Sequence, residues 1–215
     1  MRQALWACIV VWWSTTTTAR RCHAFIPTKL TTLTNLKESK SALDTASNIP
    51  MNTPARASLP DHMVLVSIPG KGLGVVTKVP IASGSVVGDY QGEILSLEEK
   101  DRRYLESCSH LRQDSDEKWR DSRIARGQGL TGAYLYGIEV PGDENIYIDA
   151  EDEYASLWTR FLNHSSNANV QPKSIHESWD GKPRVWFVAL RDIEPGEEIC
   201  FDYGDDYWLP GDNVV

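Results

Sequence analysis

Two short stretches set polar side chains into runs that otherwise look built for a core. In Arg160-Phe161-Leu162-Asn163-His164-Ser165, an amide and an imidazole follow two large apolar residues; in Glu198-Ile199-Cys200-Phe201-Asp202-Tyr203, a carboxylate and a phenol follow three. A polar group buried without a partner costs about 1–3 kcal/mol, so two such segments in one small domain are expected to meet and satisfy each other at a site. Each alone has a plainer reading, Asn-His-Ser as a turn and Phe-Asp-Tyr as the end of an edge strand. Nucleophilic chemistry at His164-Ser165 is disfavoured, because adjacent residues rarely orient for proton transfer and no third member stands out.

Four further clusters precede these stretches, in this order: Lys71-Gly72-Leu73-Gly74-Val75, Tyr90-Gln91-Gly92-Glu93, Tyr134-Leu135-Tyr136 and Ile148-Asp149-Ala150. The whole set, over about residues 63–209, resembles the SET-domain protein-lysine N-methyltransferases. The resemblance implies a mostly β (α+β) fold of small sheets, with a helical insertion and a knot-like core where the Asn163 and Tyr203 segments cross. It implies methyl transfer from S-adenosyl-L-methionine to a lysine of a histone or an organellar protein. The alternative is a catalytically inactive SET module that binds a peptide or scaffolds a complex; the retained Asn163, His164 and Tyr203 favour the enzyme.

Such a transfer is an in-line displacement onto a neutral amine, although a free lysine has a pKa of about 10.4. The site needs backbone that can approach the cofactor, an apolar channel that strips water from the lysine, and aligned reactants. The resemblance places Lys71, Gly72, Leu73, Gly74, Tyr134, Arg160, Asn163, His164, Tyr203 and Trp208 at the cofactor. Gly72 and Gly74, without a Cβ, would let backbone pass close to its methionine end, although a simple strand turn fits the spacing as well. Asn163 and His164 would hold adenine largely through backbone groups, and Trp208 would cover the adenine face. Tyr203 is the catalytic candidate: its hydroxyl would orient the amine and, with nearby carbonyls, hold the methyl through weak CH···O contacts. Tyr90 and Phe201 would wall the lysine channel, and Phe201 stands where the family controls the number of methyl groups added. Asp202 is expected to brace the two crossing segments rather than act as a base.

The elements that must position these residues are short. Met63–Val66 and Gly74–Thr77 read as strands around a Gly-rich turn, Ser85–Tyr90 as another. Ser96, with Glu99 three residues on, reads as a capping box, and 96–125 as helix plus loop. Tyr134–Val140 and Asn145–Ile148 flank Pro141-Gly142-Asp143 as a hairpin. Val185–Leu190 and Ile199–Tyr203 are the last strands expected, and Trp158–Leu162 is ambiguous. Four positions depart from the family pattern: Ala168 and Ser166 stand where proline and cysteine are frequent, and Leu157-Trp158 where Gly-Asn is common.

The chain has 215 residues, room for one domain with extensions. Residues 1–60 hold seven Lys/Arg against two Asp/Glu, and residues 61–215 fifteen against twenty-eight. The acidic part disfavours direct nucleic-acid binding and suits a basic, lysine-containing protein or peptide substrate. None of the four cysteines forms a C-x-x-C pair, so no metal site is indicated; the zinc segments that flank many SET domains have no counterpart here. The apolar run Ala4–Trp13 is shorter than the about 20 residues that span a bilayer but suits a signal-peptide core. Residues 1–24 are therefore expected to be a signal peptide, 25–62 a disordered transit-like or linker segment, 63–209 the SET domain and 210–215 a tail. The junction Ala24-Phe25-Ile26-Pro27 resembles the cleavage motif of bipartite plastid presequences, implying a plastid protein. A mispredicted start, with translation from Met51 or Met63, would instead point to the nucleus. The mature protein is expected to be a monomer without a stable membrane span.

Overall fold

Short runs of β-branched and aromatic residues, cut by glycine turns, make ten strands in a computed structural model that describes residues 49–204 and Tyr207. The expected signal peptide, most of the 25–62 segment, Trp208 and the 210–215 tail lie outside the described residues. β1 (Met63–Ile68) and β2 (Gly72–Thr77) form an antiparallel hairpin. Its turn needs a positive φ at Gly70 and Gly72, 78° and 84°, which a side chain would resist. β3 (Val86–Tyr90), β8 (Val170–Ile175) and β9 (Arg184–Ala189) make a second sheet in the order β3-β9-β8. β4 (Glu93–Leu95), β5 (Leu135–Ile138) and β6 (Ile146–Asp149) make a third in the order β4-β6-β5. β7 (Asn163–His164) and β10 (Cys200–Phe201) pair in parallel.

The core lies where these small sheets converge. β9 alternates as a central strand should, with Val185, Phe187 and Ala189 inward, and Phe187 fully buried; burying that ring is worth roughly 1.5–3 kcal/mol. Leu65, Val75, Tyr90, Ile148, Phe161, Ile199 and Phe201 join it in one cluster. The last segment is tied to β2 by the Ile199 N–H, which donates to Val75 O at 2.8 Å. It is thus held between β2 and β7.

The helical insertion starts at the expected place. The helix α2 (Leu97–Tyr104) carries the Ser96–Glu99 capping box, and α3 (Asp114–Ala125) follows a 3-10 turn over Glu106–Leu111. Its packing face is ionic. Arg123, fully buried, donates to Asp149 Oδ2 at 2.8 Å, to Tyr104 Oη at 3.0 Å and to Glu93 Oε2 at 3.3 Å, and lies over the Trp119 ring. These partners sit on β4, β6 and α2, so one guanidinium fastens the insertion to the third sheet.

Three expectations change. Residues 49–62 are not a linker throughout: α1 (Pro54–Ala57) buries Ala55 completely, and Ile49 and Leu59 pack on the core. Packed structure therefore begins upstream of Met63, because Pro54 at the first helical position and the Thr53 cap start a helix within a Ser/Thr-rich stretch. The last strand is limited to Cys200–Phe201, with Asp202 and Tyr203 turned to other tasks. Finally, β4 and β8 appear in stretches where polar residues and a proline hide the alternation.

Candidate active site

The two polar stretches meet side by side. Ser165 N donates to Phe201 O at 3.1 Å and Asn169 N to Cys200 O at 3.1 Å. The Asn169 side chain spans the same seam, donating to Glu198 O at 2.7 Å and accepting from Cys200 N at 2.9 Å. Asn163 Nδ2 donates both to Leu73 O, at 3.2 Å, and to Glu198 Oε1, at 2.7 Å. Gly74 is a glycine because of this pair: a Cβ there would lie 2.6 Å from Glu198 Oε1 and 2.9 Å from Asn163 Nδ2. The close approach expected at Gly74 is thus made by the chain's own side chains. At Gly72, by contrast, nothing lies within 4 Å of the corresponding point.

His164 is buried and accepts a hydrogen bond from Tyr203 N at Nδ1, 3.1 Å. Burial depresses its pKa below 6.5, with Lys71 adding to the depression and Asp202 opposing it. Accepting at Nδ1 requires the neutral ring, which agrees. Lys71 Nζ donates to His164 O at 3.0 Å. The brace expected of Asp202 is supplied instead by Asn163, Asn169 and Glu198; Asp202 is exposed, its carboxylate accepts from Gly204 N, and it stands 3.6 Å from His164 Nδ1.

Next to this junction lies a narrow cleft with Tyr90, Tyr136, Phe201, Tyr203 and Tyr207 as aromatic walls and Leu162, Thr159 and Arg160 among its other lining residues. The rings support one another: Phe201 is 4.8 Å from Phe187 and 4.6 Å from Tyr203, and Tyr207 meets Tyr203 edge-on at 4.6 Å. Tyr203 Oη donates to Leu162 O at 2.8 Å, and Tyr90 Oη donates to Tyr134 O at 2.7 Å. Burial first, and the neighbouring ionisable groups second, hold the Tyr203 pKa well above 10, so the group stays a hydroxyl. Burial likewise pushes the Cys200 thiol up to about 12, which makes it unreactive near neutrality. Arg160 is fixed from several sides: Nε donates to Ala150 O and Nη2 to Glu151 O at 2.8 and 2.9 Å, and its guanidinium lies 4.3 Å from the Tyr134 ring centre.

The structure therefore brings Tyr90, Arg160, Phe201 and Tyr203 to the cleft, and gathers Lys71, Leu73, Gly74, Asn163 and His164 at the junction beside it. Tyr134 lies under Arg160, while Trp208 falls outside the described residues. Sequence reasoning quoted but gave no role to Tyr136 and Glu198, and did not single out Tyr207 or Asn169. Among the described residues no group of His, Cys, Asp or Glu is arranged to hold a metal ion, and no helix is long and apolar enough to cross a membrane.

The SET domain family model matches residues 72–204. The N-lysine methyltransferase KMT5A-A of Danio rerio is 32% identical over 169 residues, 79% of this chain and 43% of the relative. The histone-lysine N-methyltransferase SUV39H1 of Xenopus laevis is 32% identical over 136 residues, 62% of this chain and 27% of the relative. A histone-lysine N-methyltransferase EZH2 of Chaetomium thermophilum is 30% identical over 136 residues, 63% of this chain and 8% of the relative. The chain thus spans less than half the length of each of these relatives.

Proposed function

We propose that this chain, which belongs to the SET-domain family, transfers methyl groups from S-adenosylmethionine to the side-chain amine of lysine in a protein. The observation that carries the reading is the aromatic cleft ending on a protonated Tyr203 whose own hydrogen is already given to Leu162 O. The Tyr203 hydroxyl, at the end of the cleft, would orient the amine there. The walls strip water from that amine, which favours its neutral form.

The residues present fit the cofactor. β2 is open at Gly72, and beside it stand the Lys71 ammonium, suited to a carboxylate, and the Asn163 amide. When bound, S-adenosylmethionine supplies the electrophilic methyl group. Lys71, Leu73, Asn163 and His164 would hold it, with Arg160 and Tyr134 as neighbouring wall. The acidic balance of residues 61–215 favours a basic target segment, and the relatives' names put histones among the candidates. The Ala4–Trp13 run and the Ala24-Phe25 junction favour import into a plastid, and hence an organellar target.

The test is incubation of the purified chain with methyl-labelled S-adenosylmethionine and protein extracts, beside localisation of a full-length fusion. Label recovered as methyl-lysine is the expected result. Cofactor binding without transfer to any extract would overturn the enzymatic reading, and a fusion found only in the nucleus would overturn the plastid one.

A further inference from the structure

Glu198 stands at the junction of three motif segments. Its backbone bridges to Val76 on β2, its carbonyl accepts from Asn169, and its Oε1 takes the Asn163 amide nitrogen at 2.7 Å. The same nitrogen donates to Leu73 O at 3.2 Å. Two acceptors therefore claim one amide nitrogen. The amide cannot turn over without setting its oxygen against a carboxylate and a carbonyl, each repulsive to it. Gly74 leaves the room this pair needs, since a Cβ would strike both groups. Asn163 Oδ1 is consequently turned away from Glu198, and it accepts no hydrogen bond among the described residues. Nearby, Lys71 carries an ammonium held to His164 O. An acceptor amide beside a cation complements the ammonium and carboxylate of an α-amino acid.

We propose that Glu198 is a positioning residue of the cofactor site: it locks the Asn163 amide so that its oxygen is offered to the α-ammonium at the methionine end of the cofactor. The inference rests on the S-adenosylmethionine reading above. It makes the Glu198 carboxylate a determinant of which ligands bind, although it reaches them only through Asn163.

Calorimetric titration of the full chain with two ligands tests it. S-adenosylhomocysteine carries the amino-acid end, and 5′-methylthioadenosine lacks it. Glu198→Ala is expected to weaken S-adenosylhomocysteine about tenfold, the scale of one charge-assisted hydrogen bond, and 5′-methylthioadenosine less than about twofold. Glu198→Gln, which keeps an oxygen acceptor, should restore both ligands to near the unmodified chain. Glu198→Asp, which withdraws the acceptor by one methylene, should repeat the ligand-selective loss even if the alanine variant does not fold. Equal weakening of both ligands, or a glutamine variant as poor as the alanine one, would show a merely structural role and overturn the proposal. If the unmodified chain binds neither ligand, the methyltransferase reading fails and this inference with it; if it binds both and the variants follow it, only this inference fails.

Discussion

Tyr203 and its neighbours set what the site can do one side chain at a time. Tyr203→Phe removes the hydroxyl proposed to orient the amine and takes from Leu162 O the donor it has in Tyr203. We expect turnover to fall on the order of a hundredfold or more, while calorimetry shows S-adenosylhomocysteine binding unchanged; equal turnover would refute the assignment. Phe201 brings no hydroxyl to the cleft, so a methylated amine would have space to turn there. Mass spectrometry of a methylated peptide over time should show products beyond monomethyl-lysine, and Phe201→Tyr should shift them toward monomethyl without abolishing the first transfer. His164 gives a pH signature. Its folded pKa lies below the unfolded value of 6.5, so the unfolded chain binds the proton first. Its stabilising contribution is present above about pH 6.5 and is lost as pH falls through the folded pKa. Thermal unfolding from pH 7.5 to 5 should show this loss, and His164→Gln should flatten it. Much of this site was legible because Asn163, His164 and Tyr203 stand in apolar runs where a polar side chain has to be explained. Glu198 and Asn169 were not, since a carboxylate after a Pro-Gly turn looks solvated, and its amide partner lies 35 residues away.

Among the elements, the insertion is the clearest case of ionic packing. Arg123→Met leaves Asp149, Glu93 and Glu151 facing one another without their cation. Breaking a buried pair by removing one partner costs about 3–5 kcal/mol. Chemical denaturation should show a loss of that size, and hydrogen exchange should speed up first in α2 and α3. An unchanged midpoint would mean that the apolar contacts suffice. The sequence pattern announced the capping box, the β5–β6 hairpin and β9, whose residues agree locally with their final state. It missed α1, whose single buried alanine gives no periodicity. It overlooked the edge strand β8, where Pro172 interrupts the run, and it could not pair Arg123 with acids on other elements.

At the scale of the molecule, residues 61–215 carry fifteen basic against twenty-eight acidic side chains. A basic target peptide should be drawn in by this field and released by salt, so KM should rise severalfold between about 0.05 and 0.3 M salt while kcat changes little; a KM indifferent to salt would exclude electrostatic capture. The segment ahead of the family match closes on the rest through Thr53 and Arg56, both bonded to Glu153, and through Ser58, which accepts from Trp158 N. Glu153 in turn stands 3.5 Å from Arg160. This clasp ties residues ahead of the family match to the support of a cleft residue. A chain that starts at Met51 keeps all three contacts, whereas one that starts at Met63 has a Glu153 that has lost Thr53 and Arg56 and keeps Arg160 beside it. Removing the residues before Met63 would therefore leave every motif residue in place and take from Glu153 two of the partners that hold it, so the support behind Arg160 depends on a segment that carries none of the motifs.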